Sequence, residues 1–392
     1  LTSDKACYTF MNNLDVAGIV SGSTFSGSFI GDGSGLTNVN SGNQVYKTGS
    51  RVSAIIPSKF GDNTNDGTNA SISSGCNNNM SSTTDSAIVS GCDNSITTRD
   101  KSIIGAGKSN CIDAACSFIG AGQLNNILGL VANRSGIVSG TGNDICVQNS
   151  FIGAGVSNNI TSSTSPFSSI VGGGSNTTNQ CYSFIGGGYK NLIDGRYTSI
   201  VGGLENTSSA EARCSFIGGG YRNMASGSNS TIGGGFKNTS SGAFSAILGG
   251  QCNQSTSNCS FVGGGKSNKA LAPVSTIVGG TSNVVSAACA GILGGQNNCA
   301  CQINSFIVGS NLTSDKACYT FMNNLDVAGT ISGSTFSGSF TGDGSGLTNV
   351  NVNSGSWDGI FSGSAQITGS LGVTGSINAT NFTGSSFTGS FV

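Results

Sequence analysis

The sequence predicts an all-β protein whose central part is a repetitive β-solenoid, a rod built from stacked coils of backbone. Three observations predict this fold. A phrase of the form S-x-I-x-G-G-x-x-N recurs through residues 53–311, its copies begin 15 to 18 residues apart, and no segment carries apolar residues at helical spacing. Because paired strands lie about 4.8 Å apart, about 17 coils would form a rod about 80 Å long.

We number the residues of each phrase from zero, so that its third residue is at position two. The residue at position two predicts the core of the rod. This residue is Ile in nearly every copy, and a β-branched side chain at a fixed point suits a buried strand. Stacked coils would align these side chains in one column. The predicted core ladder consists of Ile88, Ile104, Ile119, Ile137, Ile152, Ile170, Ile185, Ile200, Ile217, Ile232, Ile247, Val262, Ile277, Ile292 and Ile307.

Gly at position five and Asn at position eight predict the corner at which each strand ends. Both residue types tolerate a left-handed backbone better than the others do. The predicted corner asparagines include Asn94, Asn191, Asn223 and Asn283. We therefore expect one strand and one such corner in each coil.

Positions one and three carry a second signal. Because side chains alternate along a strand, they point to the face opposite the Ile. Where position one is Phe, as at Phe184, position three is usually Gly, and where position one is small, as at Ser169, position three is usually large, as at Val171. A packed surface constrains summed volume and a solvated one does not, so we expect the strand to be buried on both faces.

Two arrangements would bury this second face. The first is a homotrimer, in which three copies pack the face around a common axis. The second is a wider single-chain solenoid with both faces internal. We expect the homotrimer, because further copies of the same chain supply the partner surface without additional sequence.

The chain divides into four predicted segments. Residues 1–52 form a connector or cap, residues 53–311 the β-solenoid array, residues 312–360 a duplicated connector, and residues 361–392 a Gly/Ser-rich β shaft with short strands and Gly turns. Residues 312–351 repeat residues 1–40 with three changes. We expect either that arrays and connectors alternate in a longer protein or that the duplicated segments cap both ends of one array, because terminal coils expose unpaired edges.

Composition excludes several classes of function. Only 8% of residues are charged and the net charge is −1, which provides no basic surface for nucleic acid. No apolar run is long enough to span a membrane. The chain has no His, which removes His-assisted nucleophilic catalysis and the usual zinc ligand set, and two Gly-Lys-Ser segments lack the first Gly of a phosphate-binding loop. We predict no enzyme activity, no catalytic or metal site, and no cofactor.

Two further groups of residues are candidates for specific contacts. Cys76 and Cys92 both occupy position six of successive coils, so stacking would bring them within disulfide range. Tyr189, Tyr221 and Phe236 occupy position six of three other coils, each followed by a basic residue. An aromatic and basic strip at a corner could hold a sugar or an anionic polymer, or could simply be packed locally.

The registered coils of residues 53–310 resemble the left-handed β-roll heads of trimeric autotransporter adhesins. This resemblance implies a homotrimer whose strands face a common axis. The flanks depart from that family, because they contain neither a coiled-coil stalk nor a membrane-anchor barrel. The Gly-Asp-Gly-Ser-Gly-Leu-Thr-Asn-Val segments and the Gly/Ser-rich tail look instead like bacteriophage tail-fibre proteins.

We therefore expect a structural fibre protein, the rod of a phage tail fibre or a similar surface appendage involved in host attachment. Its partners would be two identical chains, further copies or modules of the same fibre, and a host surface glycan, and its location the virion or an extracellular surface. The alternative is a bacterial adhesin or extracellular filament that binds glycan or matrix directly. An ice-binding solenoid is disfavoured because the sequence has no regular Thr ladder.

Overall fold

The computed structural model describes residues 46–48, 55–57, 63–129, 131–161, 166–329 and 332–333. The described residues are all-β, without an α-helix, and form a β-solenoid of about 17 turns. Most of the predicted connector 1–52, residues 334–360 and the predicted shaft 361–392 lie outside the described residues.

One sheet, sheet A, collects the strands that the repeated phrase predicts. Its first two strands pair antiparallel and the others stack parallel, coil upon coil. The strands of sheet A are β1 (Tyr46–Thr48), β2 (Ile55–Pro57), β4 (Ser71–Ile72), β6 (Ala87–Ile88), β8 (Ile103–Ile104), β10 (Phe118–Ile119), β12 (Gly136–Ile137), β14 (Phe151–Ile152), β16 (Ser169–Ile170), β18 (Phe184–Ile185), β20 (Ser199–Ile200), β22 (Phe216–Ile217), β24 (Thr231–Ile232), β26 (Ala246–Ile247), β28 (Phe261–Val262), β30 (Thr276–Ile277), β32 (Gly291–Ile292), β34 (Phe306–Val308) and β35 (Thr320–Met322).

Almost every coil contains a second strand, in most coils at positions nine and ten, and these strands form sheet B. The prediction of one strand per coil was wrong, because position ten varies among Ile, Ala, Ser, Thr, Val and Met and hides the repeat. The strands of sheet B are β3 (Thr64–Thr68), β5 (Asn79–Thr84), β7 (Ser95–Thr97), β9 (Cys111–Asp113), β11 (Asn126–Leu128), β13 (Asp144–Ile145), β15 (Asn159–Ile160), β17 (Thr177–Thr178), β19 (Leu192–Ile193), β21 (Thr207–Ser208), β23 (Met224–Ala225), β25 (Thr239–Ser240), β27 (Gln254–Ser255), β29 (Lys269–Ala270), β31 (Val284–Val285) and β33 (Cys299–Ala300).

A row of single-residue parallel bridges at position six joins successive coils between the two sheets, from Cys76 to Gln296. The chain thus makes three parallel backbone contacts per coil. At the C-terminal side the stacking continues past residue 311, because β35 pairs in register with β34 and Thr313 bridges to Cys299. The first part of the duplicated segment therefore extends the solenoid.

The core lies between the two sheets. Every residue of the predicted ladder, from Ile88 to Ile307, is fully buried, and successive members pair directly, as Ile185 does with Ile200. Sheet B contributes the facing column at position ten, with Ile in most coils up to Ile193 and mainly Ala or Ser in the later coils. Each buried Ile contributes on the order of 1.5–3 kcal/mol to folding.

The asparagines at position eight have a different role from the one predicted. Asn94, Asn191, Asn223 and Asn283 do lie beside a corner, but they do not have a left-handed backbone; the residue before each of them does, as at Lys190 with φ 54°. Their side chains point inward and are buried. The prediction was wrong because Asn at this position is selected for its amide side chain, which bonds to the neighbouring coils.

Candidate interaction surfaces

The outer face of sheet A carries an apolar strip along the solenoid. We define this apolar strip as positions one and three of the coils from Ala87 to Val308. None of its residues is charged. In a single chain its large side chains are open to solvent: Phe118 is 44% exposed, Phe216 is 40% exposed and Leu248 is 58% exposed. The alternative of a wider single-chain solenoid with both faces internal is therefore wrong.

The volume pairing of positions one and three has a local cause. A Cβ added to Gly120 would lie 3.2 Å from Cζ of Phe118, and one added to Gly186 would lie 3.5 Å from Cε1 of Phe184. In these coils the Phe ring thus packs over the Gly two residues later in the same coil. This packing needs no partner chain, so the pairing is not by itself evidence that the strip is covered.

Phe306 departs from the pairing because its ring leans the other way. Position three of its coil is Val308, and a Cβ on Gly291 of the preceding coil would lie 3.0 Å from Cδ2 of Phe306. Along the strip, each Phe between Phe151 and Phe306 pairs with small position-one residues, as Phe184 does with Ser169 and Ser199. Small residues therefore separate the rings at position one, whereas most of the intervening coils carry an exposed Val or Leu at position three.

The outer face of sheet B differs in chemistry. Its exposed side chains are mostly polar and many bond to the next coil: Asn126 Nδ2 donates to Asp144 at 2.8 Å, and Asn179 Nδ2 donates to Asp194 at 2.7 Å. Isolated apolar side chains such as Met224 and Leu271 interrupt this surface. A polar face with satisfied hydrogen bonds is stable in water, whereas a long apolar strip marks an interaction surface.

The aromatic and basic residues predicted as a ligand strip do align at one corner. Tyr189, Tyr221 and Phe236 follow one another along the row of bridges, with Leu204 between the two tyrosines. We call these four residues the corner strip. Tyr221 and Phe236 have ring centroids 5.4 Å apart and tilted by 48°.

The basic residue after each ring in the corner strip covers that ring. Lys190 Nζ lies 5.2 Å from the Tyr189 centroid, Arg222 Cζ lies 4.8 Å from that of Tyr221, and Lys237 Nζ lies 5.2 Å from that of Phe236. Arg222 also pairs with Glu205, and the hydrogen bond that its guanidinium donates to this carboxylate raises the pKa of Arg222. The rings and cations therefore contact one another locally. Among the residues that the structure describes, Lys190 and Lys237 have no acidic partner within ion-pair distance.

A second aromatic group was not predicted from the sequence. Phe167, Tyr182 and Tyr197 each precede position zero of successive coils, where the backbone is left-handed. Their rings stack with centroid distances of 5.2 and 4.9 Å and interplanar angles of 11° and 4°. Because the ring faces cover each other, this group presents ring edges to solvent. The sequence did contain a signal for this group, because three aromatic residues occupy equivalent positions in consecutive coils.

The cysteines occupy several separate columns. Cys76 and Cys92 form a disulfide between successive coils, with Cα atoms 4.6 Å apart. The other cysteines of the described residues are free thiols, including Cys111, Cys116, Cys252 and Cys259. Within the described part of the chain, no group of three or more His, Cys, Asp or Glu side chains could hold a metal ion. The described residues also contain no helix with the length and hydrophobicity needed to cross a bilayer.

Comparisons with known proteins add no identity to this description, because no model of a known protein family matches the chain and no curated protein matches it.

Proposed function

We propose that the chain is the rod of an extended fibre, a phage tail fibre or a similar surface appendage that takes part in host attachment. The observation that carries this proposal is the uncharged apolar strip on a solenoid whose other sheet is polar outside. A uniform stack of coils suits the task of holding a tip at a distance. Continuous backbone pairing along the rod would resist bending and local unfolding.

The proposed occupant of the apolar strip is the same strip of two further copies, arranged around a common axis as a homotrimer. A second copy has the same distance between coils, so around a common axis each coil of one chain can lie against the equivalent coil of the others along the full length. A globular partner would cover only part of the strip. The number three rests on the resemblance to trimeric β-roll heads, and a closed ring with one strip per chain is consistent with it.

The mass of the assembly tests this proposal, with two substitutions in one coil as the comparison. Phe216 on the apolar strip is 40% exposed and Met224 on the outer face of sheet B is 41% exposed, so Phe216→Asp and Met224→Asp place a charge at equally accessible sites on opposite faces. We expect the unaltered chain and Met224→Asp to have three times the mass of one chain by light scattering. Phe216→Asp should shift the population to smaller species, because a buried charge in the interface would be unpaired.

A monomeric unaltered chain at micromolar concentration would contradict the proposed assembly. Equal masses for the two variants would show that the apolar strip is not the interface. Circular dichroism spectra of both variants serve as the control, because each substitution is on an outer surface and should leave the coil fold unchanged.

The corner strip favours a second candidate, an adhesin or extracellular filament that binds glycan directly. Aromatic rings beside unpaired lysines can hold the apolar face and the acidic groups of a sugar. Binding of the purified protein to immobilised acidic glycans, lost on replacing Tyr221 and Lys237, would favour this candidate. Full retention of binding in that variant would assign the ligand to another surface.

A further inference from the structure

The sulfur atoms of Cys299 and Cys301 lie 2.6 Å apart near the C-terminal end of the solenoid. Both side chains are partly buried on the outer face of sheet B, since residues two apart in a strand share a face. β33 ends at Ala300, and Cys301 is the first residue after it. Cys301 Sγ also lies 3.4 Å from the carbonyl oxygen of Cys299.

This geometry excludes a metal ion held between the two sulfurs. Two thiolates on one tetrahedral zinc, with Zn–S bonds of about 2.3 Å, would be about 3.8 Å apart. A separation of 2.6 Å is also shorter than van der Waals contact between two sulfur atoms. The two sulfurs are therefore in direct contact, although the separation is longer than the roughly 2.05 Å of a disulfide bond.

The neighbouring free thiols lie in a different column of the solenoid from Cys299 and Cys301. Cys289 and Cys318 occupy the column that precedes position zero, with Asn304 between them. They are two coils apart, about 10 Å, which exceeds the span of a disulfide. Both are exposed, whereas Cys299 and Cys301 are partly buried.

The backbone of this pair also holds the start of the duplicated segment. Cys299 donates its N–H to Leu312 O at 2.8 Å, and its carbonyl oxygen accepts from the N–H of Ser314 at 2.9 Å. Ser314 Oγ accepts from the N–H of Cys301 at 2.9 Å and from that of Gln302 at 3.0 Å. Ser314 is buried, so these hydrogen bonds attach the start of the duplicated segment to the last complete coil.

We propose that Cys299 and Cys301 form an intrachain disulfide that fixes the end of the array where residues 312–314 are seated. The oxidant is a small-molecule disulfide such as oxidised glutathione. One cysteine thiolate attacks a sulfur of that disulfide and releases a glutathione thiolate, and the second cysteine thiolate then displaces the other glutathione. The protein gives up two electrons and two protons, and the oxidant becomes two thiols.

The ionisation of Cys299 indicates how this reaction depends on pH. Burial, the hydrogen bond with Cys301 and the nearby Cys301 charge together raise the pKa of Cys299 to about 11. Its thiol is therefore protonated at neutral pH, and thiolates are the reactive species. Oxidation should accelerate as the pH rises towards that value.

The test uses the full chain, treated with either oxidised glutathione or dithiothreitol, then alkylated and digested for mass spectrometry. We expect the oxidised sample to contain a peptide in which Cys299 and Cys301 are unalkylated and two hydrogen masses lighter. Dithiothreitol should restore alkylation of both. Cys289→Ser is the matched control and should leave this result unchanged, whereas Cys301→Ser should abolish it.

Hydrogen exchange provides a second measurement that does not depend on any variant folding. The amides of Leu312 and Ser314 should exchange at least several-fold more slowly in the oxidised chain than in the reduced chain. Alkylation of Cys299 and Cys301 at the rate of Cys289 after oxidation would overturn the disulfide. Unchanged exchange of the two amides would overturn its role in seating the segment. Neither result bears on whether the apolar strips assemble, so this inference and the fibre proposal fail independently.

Discussion

At the scale of single residues, the asparagine of position eight connects three coils. Asn191 Nδ2 donates to Gly187 O in its own coil and to Gly203 O in the next, both at 3.0 Å. Its backbone N–H and Nδ2 reach Asn176 Oδ1 at 3.0 and 3.1 Å, and its own Oδ1 accepts from Asn206. Only an amide side chain of this length has both the donors and the acceptor that this arrangement requires.

We expect Asn191→Ala to lower the free energy of unfolding by at least about 3 kcal/mol, because several buried backbone and side-chain groups lose their partners at once. Urea unfolding followed by circular dichroism measures this change. The neighbouring Lys190→Ser is the control, since the Lys190 side chain is exposed and its ammonium lies over the Tyr189 ring, and it should alter stability by less than about 1 kcal/mol. A comparable loss in both variants would contradict the buried asparagine ladder.

At the scale of the element, most strands have only two residues and none could persist alone. Their order comes from stacking, since each coil pairs with the one before and the one after it. The corners must therefore let successive backbones approach closely. Gly188 has φ +88°, and a Cβ there would lie 2.1 Å from Gly203 O of the next coil, whereas a Cβ on Gly187 would meet nothing within 4 Å.

These adjacent glycines give a matched pair of variants. We expect Gly188→Ala to destabilise the protein by more than about 2 kcal/mol, because the new methyl group both strains the left-handed backbone and pushes the next coil away. Gly187→Ala should change stability by less than about 1 kcal/mol. Thermal unfolding compares the two. If Gly187→Ala were the more damaging change, the assignment of the corner to position five would be wrong.

At the scale of the whole array, the later coils repeat every 15 residues and are nearly interchangeable. Stability in such a stack is a sum of coil terms and neighbour terms. The interior changes gradually along the rod: β19 and the earlier strands of sheet B mostly bury Ile, while later coils bury serine pairs such as Ser240 and Ser245, whose hydroxyls lie 2.6 Å apart. In the later coils, hydrogen bonds between buried side chains thus take the place of buried apolar volume.

Deletion of residues 230–244 should remove one coil and leave the rest in register, because residue 229 then precedes a serine at position zero, as it does in the intact chain. We expect a folded protein whose rod is about 4.8 Å shorter than that of the intact chain. Electron microscopy would measure this change as the particle length across a series of coil deletions. Deletion of residues 230–237 cuts within a coil and is the control; it should cause misfolding or aggregation. A folded product from that control would contradict the stacking register.

Much of this architecture follows directly from the order of residues. The all-β class, the coil period and the buried Ile ladder could all be predicted, because one β-branched residue recurs at one position and identical coils can bury it only by stacking. Composition likewise indicated which kinds of catalytic and metal chemistry to exclude, since the sequence contains no His and only 8% charged residues. The second strand escaped prediction because its inward residue changes from Ile in most of the earlier coils to mainly Ala or Ser in the later ones.

The remaining features depend on contacts between coils that are distant in the chain. Asn at position eight can serve through a left-handed backbone or through side-chain hydrogen bonds. Which role it has depends on where the next coil places its carbonyl groups. The rings of Phe167, Tyr182 and Tyr197 stack only because three coils align. Each of these arrangements is set by the distance between stacked backbones, which the folded coil alone establishes.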